Sequence, residues 1–496
     1  MDANKVRRLK QLYTLSKADY SLDDITFNDL NLNEVFEAIN RTSTSVGEEV
    51  LYSMLRMPLT AIEDLNDRKS RIRYFIEHED EIYSIRKGLN NVPRLTNISV
   101  FEYLSKLEDV PAISYFRIYR AIILSIISIL LLFINAPVAV IAIILVFFYN
   151  SISYFKLRDS IKPYFICISY LSKAIKAGLN VSLIDKSEYK DIAFIKNSSI
   201  ILGNISGETI HGGSGNPFDV FINIIKMGLH LDIICFYALV KRINNNKCKC
   251  HDFLYNLGAI DALASVALLM KDNENICVPE YSDNERALEV KGIIHPLVDN
   301  AVGNDLRITG SILLTGSNAS GKSTFLRCVG INIVLAQSLC IAFAKDYKGS
   351  LFKIISSMSI TDSVESGDSF YMAEIKSLKR IIDILDDNDK YICFVDEVLK
   401  GTNTKERIAA SYKILEYFNK KCICMAATHD MELTQLLDRN YINMHFGEDV
   451  DKKDVVFSYI IKDGPANTTN AIRLLETLDF PTEITSEAYS FLQSYF

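Results

Sequence analysis

The chain of 496 residues has no excess of basic residues: Lys and Arg number 54 against 61 Asp and Glu, for a formal net charge of −7. That balance excludes wrapping of nucleic acid by bulk electrostatics, though not a local basic track. An apolar leader is also missing. Residues 1–20 carry Lys5, Arg7, Arg8 and Lys10 and read as a solvated helix face rather than a targeting signal. The ten cysteines sit at irregular spacings without the density of a disulfide scaffold, which points to a reducing compartment. There is no internal repeat and no low-complexity linker. Apolar residues are plentiful, at 49% against 23% charged. That is enough to bury a sizeable core, and the length suggests roughly two to four domains.

Charge is absent altogether from Ala121 to Phe155, a run of 35 residues rich in Ile and Leu. Its one strong break is Asn135-Ala136-Pro137, where Pro cannot continue a helix interior and Asn favours a turn. The pattern predicts a transmembrane helical hairpin, with arms Ile118–Ile134 and Val138–Phe155. Each arm is about 26 Å long, a little short of a hydrocarbon core of about 30 Å. Crossing with local thinning and deep insertion without a full crossing both stay open. Arg117 and Arg120 flank one end, Lys156 and Arg158 the other. Positive flanks at both ends place the two termini on the cytoplasmic side, with a lipid bilayer as partner through residues 118–155. A second apolar stretch, Phe221–Val240, contains Lys226, His230 and Asp232. Those charges are expensive in lipid, so it reads as a buried soluble helix.

Four segments follow from the texture: a helical part over 1–115, the hairpin over 116–158, a second helical region over 159–286, and an α/β part over 287–496. His211–Pro217 reads as a loop and Asn244–Asn246 as a turn. In the last segment apolar runs at Ser311–Thr315, Leu351–Ser356, Tyr391–Val395, Cys422–Ala427, Tyr441–Phe446 and Val455–Ile461 alternate with helical patterns. That alternation is an α/β signature.

Gly316-Ser317-Asn318-Ala319-Ser320-Gly321-Lys322-Ser323 matches the Walker A pattern G-x-x-x-x-G-K-[ST] in full. It follows the apolar run Ile312–Leu314 and precedes a helical pattern over Thr324–Gln337. Its glycines let backbone N–H groups cradle phosphate at a helix N-terminus. Lys322 then reaches the β- and γ-phosphates of ATP, and Ser323 ligates Mg²⁺. Tyr391–Glu397 is an apolar strand closed by two acids. Asp396 there can hold Mg²⁺ through water, and Glu397 can orient the attacking water. Ala427-Thr428-His429 ends the next apolar run, so His429 can donate to the γ-phosphate if the two strands are parallel neighbours. Asp362–Phe370 precedes a helical pattern over Tyr371–Leu385. It serves either as a plain N-cap or, across a dimer, as a cap on the partner's γ-phosphate. Cys248-Lys249-Cys250-His251 fits no common zinc module and reads as a solvated loop. Cys422 and Cys424 read as core packing. Lys241, Arg242, Lys247 and Lys249 form a small basic patch, read as a solvated turn.

The stretches GSNASGKST, DSVESGDSFYMAE, VDEVLKGTNTKER and ATHD, in that order, resemble the MutS family of mismatch-repair ATPases, a branch of the ABC-type ATPases. Further similarity lies at His295-Pro296, at Asn467–Ile472, at Ile39–Thr42 with Gly47-Glu48, and at Gly258–Ser265. The resemblance implies a P-loop NTPase domain of ABC/MutS type preceded by an all-α core and lever domain. It implies a homodimer with two composite ATP sites. Lys322, Ser323, Thr324, Asp396, Glu397 and His429 act in one subunit, and Gly367 and Ser369 reach in trans. Thr402-Asn403-Thr404 lies at the dimer seam. ATP binding closes the dimer and hydrolysis reopens it. The resemblance covers neither the hairpin nor any mismatch-reading, connector or nuclease-like part of the family. Where family members stack an aromatic on adenine, this chain has Ala301-Val302-Gly303. Two readings of the cycle follow: a DNA clamp tethered to membrane, or a remodelling or signalling ATPase acting on protein or lipid. A solute transporter would need a lined path that two short helices per chain do not supply.

Overall fold

The computed structural model describes residues 1–16, 18–112, 115–198, 225, 228–282, 286–317, 320–358, 370–386, 389–399, 403–451, 454–466, 472, 475–476 and 480–495. Two compact units interleave along the chain. One takes Met1–Lys17, Arg41–Ser53 and Tyr74–Ser265, the other Ala18–Asn40, Met54–Arg73 and Val266–Phe496. Among the described residues the first eleven α-helices are α1 (Ala3–Leu15), α2 (Asp24–Asp29), α3 (Leu32–Ile39), α4 (Ser45–Arg56), α5 (Ile62–Glu77), α6 (Glu79–Leu89), α7 (Val100–Ser105), α8 (Tyr115–Leu130), α9 (Ala136–Gly178), α10 (Leu231–Asn244) and α11 (Lys247–Asp272).

In the first unit, two sequence segments more than 200 positions apart meet. Asp261 of α11 accepts from the backbone N–H groups of Ser43 (2.9 Å) and Thr44 (2.8 Å) and from the Thr44 hydroxyl (2.7 Å). It thereby caps the N-terminus of α4 from another helix, and its carboxylate answers N–H groups that the helix itself cannot use. Burial pushes the Asp261 carboxyl up, and these hydrogen bonds partly offset that. Small residues permit the approach: a Cβ on Gly47 would lie 2.2 Å from Asp261 Oδ2, and one on Gly258 2.7 Å from a Val50 methyl. Arg8 of α1 reaches the buried Glu48 and Glu49, and the Ser99 hydroxyl donates to Glu49 (2.6 Å). Burial still pushes the Glu49 carboxyl up to about 8.

The hairpin differs from its expected bounds. Its first arm runs from Tyr115 to Leu130 and ends in a 3₁₀ turn at Leu131–Phe133. Its second arm does not stop at Phe155 but continues as one 43-residue helix, α9, to Gly178. Pro137 sits in the first turn, where its missing N–H costs nothing, and the Asn135 side chain accepts from Val138 N–H. The lower part of α9 is buried at Ile161, Phe165, Ile168, Leu171 and Ile175, and that apolar stripe keeps the helix going past Lys156 and Arg158. Among the described residues two helices are long and apolar enough to cross a membrane; α11 is largely buried inside the protein and α9 is not. Of the stretch expected as a buried helix, residues 231–240 lie in α10, which runs on to Asn244 with Ile233, Phe236, Val240 and Ile243 inside; residues 221–224 and 226–227 lie outside the described residues. Cys248–His251 lies in the first turns of α11 with Cys250 buried, so the solvated-loop expectation is corrected there: Cys250 is on the packed face. The nearby cations are engaged. Arg242 covers the Phe194 ring at 3.8 Å, Lys249 pairs with Asp191, and Lys247 pairs with Glu108 at 3.5 Å.

The second unit holds twelve strands among the described residues: β1 (Ile276–Cys277), β2 (Glu280–Tyr281), β3 (Leu288–Ile293), β4 (Asn304–Ile308), β5 (Ser311–Thr315), β6 (Ala342–Phe343), β7 (Asp346–Gly349), β8 (Lys353–Ser357), β9 (Tyr391–Asp396), β10 (Ile423–Ala427), β11 (Tyr441–Asp451) and β12 (Asp454–Asp463). The main sheet has the order β12-β11-β5-β10-β9-β8, parallel except for β12. Helices α12 (Lys322–Leu339), α13 (Phe370–Ile384), α14 (Thr404–Lys421), α15 (Met431–Leu436) and α16 (Thr482–Tyr495) accompany it. β5, β9 and β10 are buried at every position but the last of β9, and apolar apart from Ser311 and Thr315 of β5 and that last residue. That is the pattern of strands covered on both faces. β8 forms an edge, and side chains from residues 20–29 take its free donors. Ile354 N–H donates to the Tyr20 hydroxyl (2.6 Å), Ser356 N–H to Thr26 Oγ1 (3.2 Å) and Met358 N–H to Asp29 Oδ2 (2.9 Å). An edge covered in this way offers no template for another strand.

Gly47→Ala is expected to cost about 1–3 kcal/mol through overpacking against Asp261, read as a lower denaturation midpoint of the full chain. Gly88→Ala, whose added methyl meets nothing within 4 Å, is the control and should leave the midpoint level or slightly raised.

Candidate functional site

The carboxyl ends of β5, β10 and β9 lie side by side. Ala427 is in register with Leu314 on one flank and with Asp396 on the other. The ladder continues one residue beyond the strands: Thr428 N–H donates to Leu314 O and Glu397 N–H to Ala427 O, both at 3.0 Å. This places the end of each strand at one level of the sheet edge, where a parallel sheet binds its ligand.

The loop after β5 carries two glycines at positive φ, Gly316 at 144° and Gly321 at 103°. A Cβ on Gly316 would lie 2.9 Å from Ser320 Oγ, and one on Gly321 3.3 Å from the Tyr459 ring. Side chains at either position would therefore strain the backbone and fill the cradle. Lys322 opens α12, is 5% exposed, and donates from Nζ to Gly316 O (2.8 Å) and Ser317 O (2.7 Å). Among the described residues the buried Ser320 hydroxyl has no hydrogen-bond partner. An ammonium set inside a glycine loop, with an orphaned hydroxyl beside it, suits a polyphosphate.

Glu397 stands just past β9 with φ +58°, a conformation rarely adopted by a residue with a side chain. Its Oε1 lies 2.9 Å from His429 Nε2. The turn is held from below, where the Ser411 hydroxyl donates to Val398 O at 3.1 Å. The residue after His429 is fixed as well: Arg407 forks onto both carboxylate oxygens of Asp430, at 3.0 and 2.5 Å. Asn403 caps α14 by accepting from Lys405 N–H at 3.0 Å.

One cleft of about 500 Å³ collects Ser317, Gly321, Lys322, Ser323, Thr324, Glu397 and His429. Asp396 ends β9 one residue before Glu397. Of the other expected site residues, Asn318, Ala319, Gly367, Ser369 and Thr402 lie outside the described residues, as does most of 467–472. Ser323 in the first turn of α12 and Asp396 at the strand end are a hydroxyl and a carboxylate of the type that would hold Mg²⁺.

The remaining walls include His295, Val298–Val302, Phe325, Cys328, Phe446 and Tyr459. Tyr459 is the one that sequence reasoning missed. It lies on β12 at φ +51°, and its ring is 46% exposed over Gly321. Asn304 ties it in place, donating to Tyr459 O (3.0 Å) and accepting from Ile461 N–H (2.8 Å). A flat aromatic face thus enters the cleft from the opposite end of the sequence, although Ala301-Val302-Gly303 has none. The strand pattern alone carried no signal for it.

Residues 312–495 match a protein family described as MutS domain V. Over its carboxy-terminal half the chain is similar to MutS proteins. MutS domain V is a P-loop ATPase domain, in accord with the loop and sheet order described above. The proteins called DNA mismatch repair protein MutS from Thermotoga maritima and Pseudothermotoga lettingae are 29% and 31% identical over 280 and 249 residues. These matches take in 53% and 48% of this chain but 34% and 30% of the relatives. The protein of the same name from Streptococcus agalactiae is 25% identical over 334 residues, 63% of this chain and 37% of its own length. The chain thus spans about a third of the length of the curated relatives it matches.

His295 accepts from Leu297 N–H at Nδ1 (3.2 Å). Burial, then the Arg327 charge, pulls its imidazole down to about 4. A histidine held neutral in the fold contributes stability that is complete above its ordinary value near 6.5 and is lost as pH falls toward about 4. The melting temperature of the protein should therefore drop over that window, and His295→Asn should flatten the drop.

Proposed function

We propose that the protein is a membrane-anchored, MutS-like ATPase that hydrolyses ATP with Mg²⁺ in a homodimer and uses the cycle to change conformation. The observation that carries the enzymatic part is the convergence of Lys322, Glu397 and His429 on one cleft with the glycine loop. In this reading backbone N–H groups of the loop and Lys322 hold the phosphates and offset their charge. The Glu397 carboxylate orients the attacking water and takes its proton. His429, hydrogen-bonded to Glu397, positions that carboxylate or, once released from it, donates toward the γ-phosphate. A magnesium ion on Ser323 and Asp396 would supply charge neutralisation to the leaving group. Tyr459 stacks on the base. Gly367 and Ser369 would complete each site in trans.

The membrane part rests on the hairpin, which exposes Ile123, Ile126, Leu130, Ile141, Leu145 and Phe148 along both arms. Exposure of that much contiguous apolar surface marks an interaction site, and a run of 35 residues without charge suits lipid. With the arms in a bilayer, the ATPase domain and both termini lie on the cytoplasmic side. Arg242, Lys247 and Lys249 of the small basic patch are each engaged by a ring or a carboxylate, and the net charge is −7. That favours a protein or lipid partner over DNA, while the MutS relatives favour a DNA clamp.

Lys322→Ala and Glu397→Gln are each expected to lower ATP turnover by about 10²–10⁴-fold, and wild-type turnover in both would refute the assignment. Tyr459→Ala should weaken ATP binding about tenfold or more and leave inorganic triphosphate binding unchanged. A duplex titration at stepped salt decides between partners: absence of binding at low salt removes the clamp, and a steep loss of affinity with salt supports it.

A further inference from the structure

We propose that the α8–α9 hairpin is a wedge that enters the bilayer from one face and ends inside the hydrocarbon, so that its tip at Phe133 and Ile134 never emerges on the far side. This rests on the membrane reading above and adds the depth and topology of insertion.

The foot of the wedge is marked by aromatic and cationic side chains at one level. The Asn150 amide donates to Ala121 O and to Ser125 Oγ, both at 3.1 Å, which fixes the register of the two arms. At that level the Arg120 guanidinium lies 5.1 Å from the centre of the Tyr149 ring, and Tyr119 and Tyr149 are exposed. Amphipathic rings with arginine are the side chains that settle at a membrane–water interface. Lys156 and Arg158 follow on the same side of this belt.

From Arg120 to Phe133 the arm rises only about 20 Å, against a hydrocarbon core of about 30 Å. Beyond the belt there is no second set of anchors. Phe133 at 87% and Ile134 at 81% are the most exposed large apolar side chains among the described residues. A turn that emerged into water would leave these rings and methyls wet, at a cost of about 1.5–3 kcal/mol for each large side chain relative to burial.

Four N–H groups of the tip are bonded within the turn. Ile134 and Asn135 N–H donate to Leu131 O (3.0 and 2.9 Å), and Ala139 N–H donates to Asn135 O (2.9 Å). Val138 N–H donates to the Asn135 side chain (3.3 Å), and Pro137 has no N–H to satisfy. Each N–H group paired within the turn lowers the cost of placing that turn in hydrocarbon. Cations at the foot and none at the tip match a single entry face.

The chain contains no tryptophan, so Phe133→Trp and, separately, Tyr119→Trp each introduce a sole indole at an exposed position. The full chain is reconstituted into phosphatidylcholine–phosphatidylglycerol vesicles whose acyl chains carry bromine at shallow or deep positions. F133W should lose more emission to deep labels than to shallow ones, Y119W the reverse, and iodide on neither side should quench F133W. Quenching of F133W by iodide trapped in the vesicle lumen would mean a full crossing, overturning the wedge while leaving the membrane anchor intact. Quenching of both indoles by external iodide, with no effect of brominated lipid, would overturn the membrane reading itself. Blue emission from F133W that neither lipid label nor iodide changes would place a second copy or another protein over the tip, and would overturn both.

Discussion

Everything in the nucleotide unit depends on three parallel strands ending together. β5 supplies the glycine loop, β9 the two acids and β10 the histidine, and the ladder bonds Thr428–Leu314 and Glu397–Ala427 lock their ends at one height. Because those strands are largely apolar along their length, their phase and register are held by burial on both faces. A slip of one residue would put Asp396 or the buried Val398 in the place of Glu397 and dismantle the cleft. The left-handed backbone at Glu397 is part of the same arrangement. It turns the chain sharply at the sheet edge so that the carboxylate meets His429 instead of continuing along the strand, and the packed strands below hold that strain.

The elements that could be read from sequence are those with short-range chemistry. The Walker loop, the strand–acid pair and the strand–His end each declare themselves within a few residues, and Ser311–Thr315 was predicted at its observed bounds. Helices α12 and α13 begin and end within two residues of their patterns. What stayed hidden depends on partners far away. Cys250 looked like loop until the buried face of α11 was seen. Tyr459 enters the cleft only because Asn304 anchors β12 beside it. Residues 20–29 look like an ordinary helical stretch, yet their Tyr, Thr and Asp side chains close the edge of a sheet built from residues beyond 350.

The same contrast holds for the first unit. Periodicity revealed the apolar hairpin but placed its second stop at the first charges, because Lys156 and Arg158 look like an end. Burial of the next turns decided otherwise. The Asp261 knot was visible only as two separate stretches of family-like sequence, Ile39–Glu48 and Gly258–Ser265. In three dimensions they form one contact, a carboxylate capping a foreign helix in a space kept open by glycine.

A single uninterrupted helix imposes a phase on whatever it joins. Along α9 the inward positions Asn150, Tyr154, Ile161, Phe165, Ile168, Ser172 and Ile175 form one stripe with helical spacing. Adding or removing one residue between Asn150 and Ile161 would swing the apolar arm by about 100° around the helix axis while the lower half stayed seated. Asn150 would then turn away from Ala121, and length variation in this stretch can only come in steps that restore the stripe, roughly whole turns or pairs of turns.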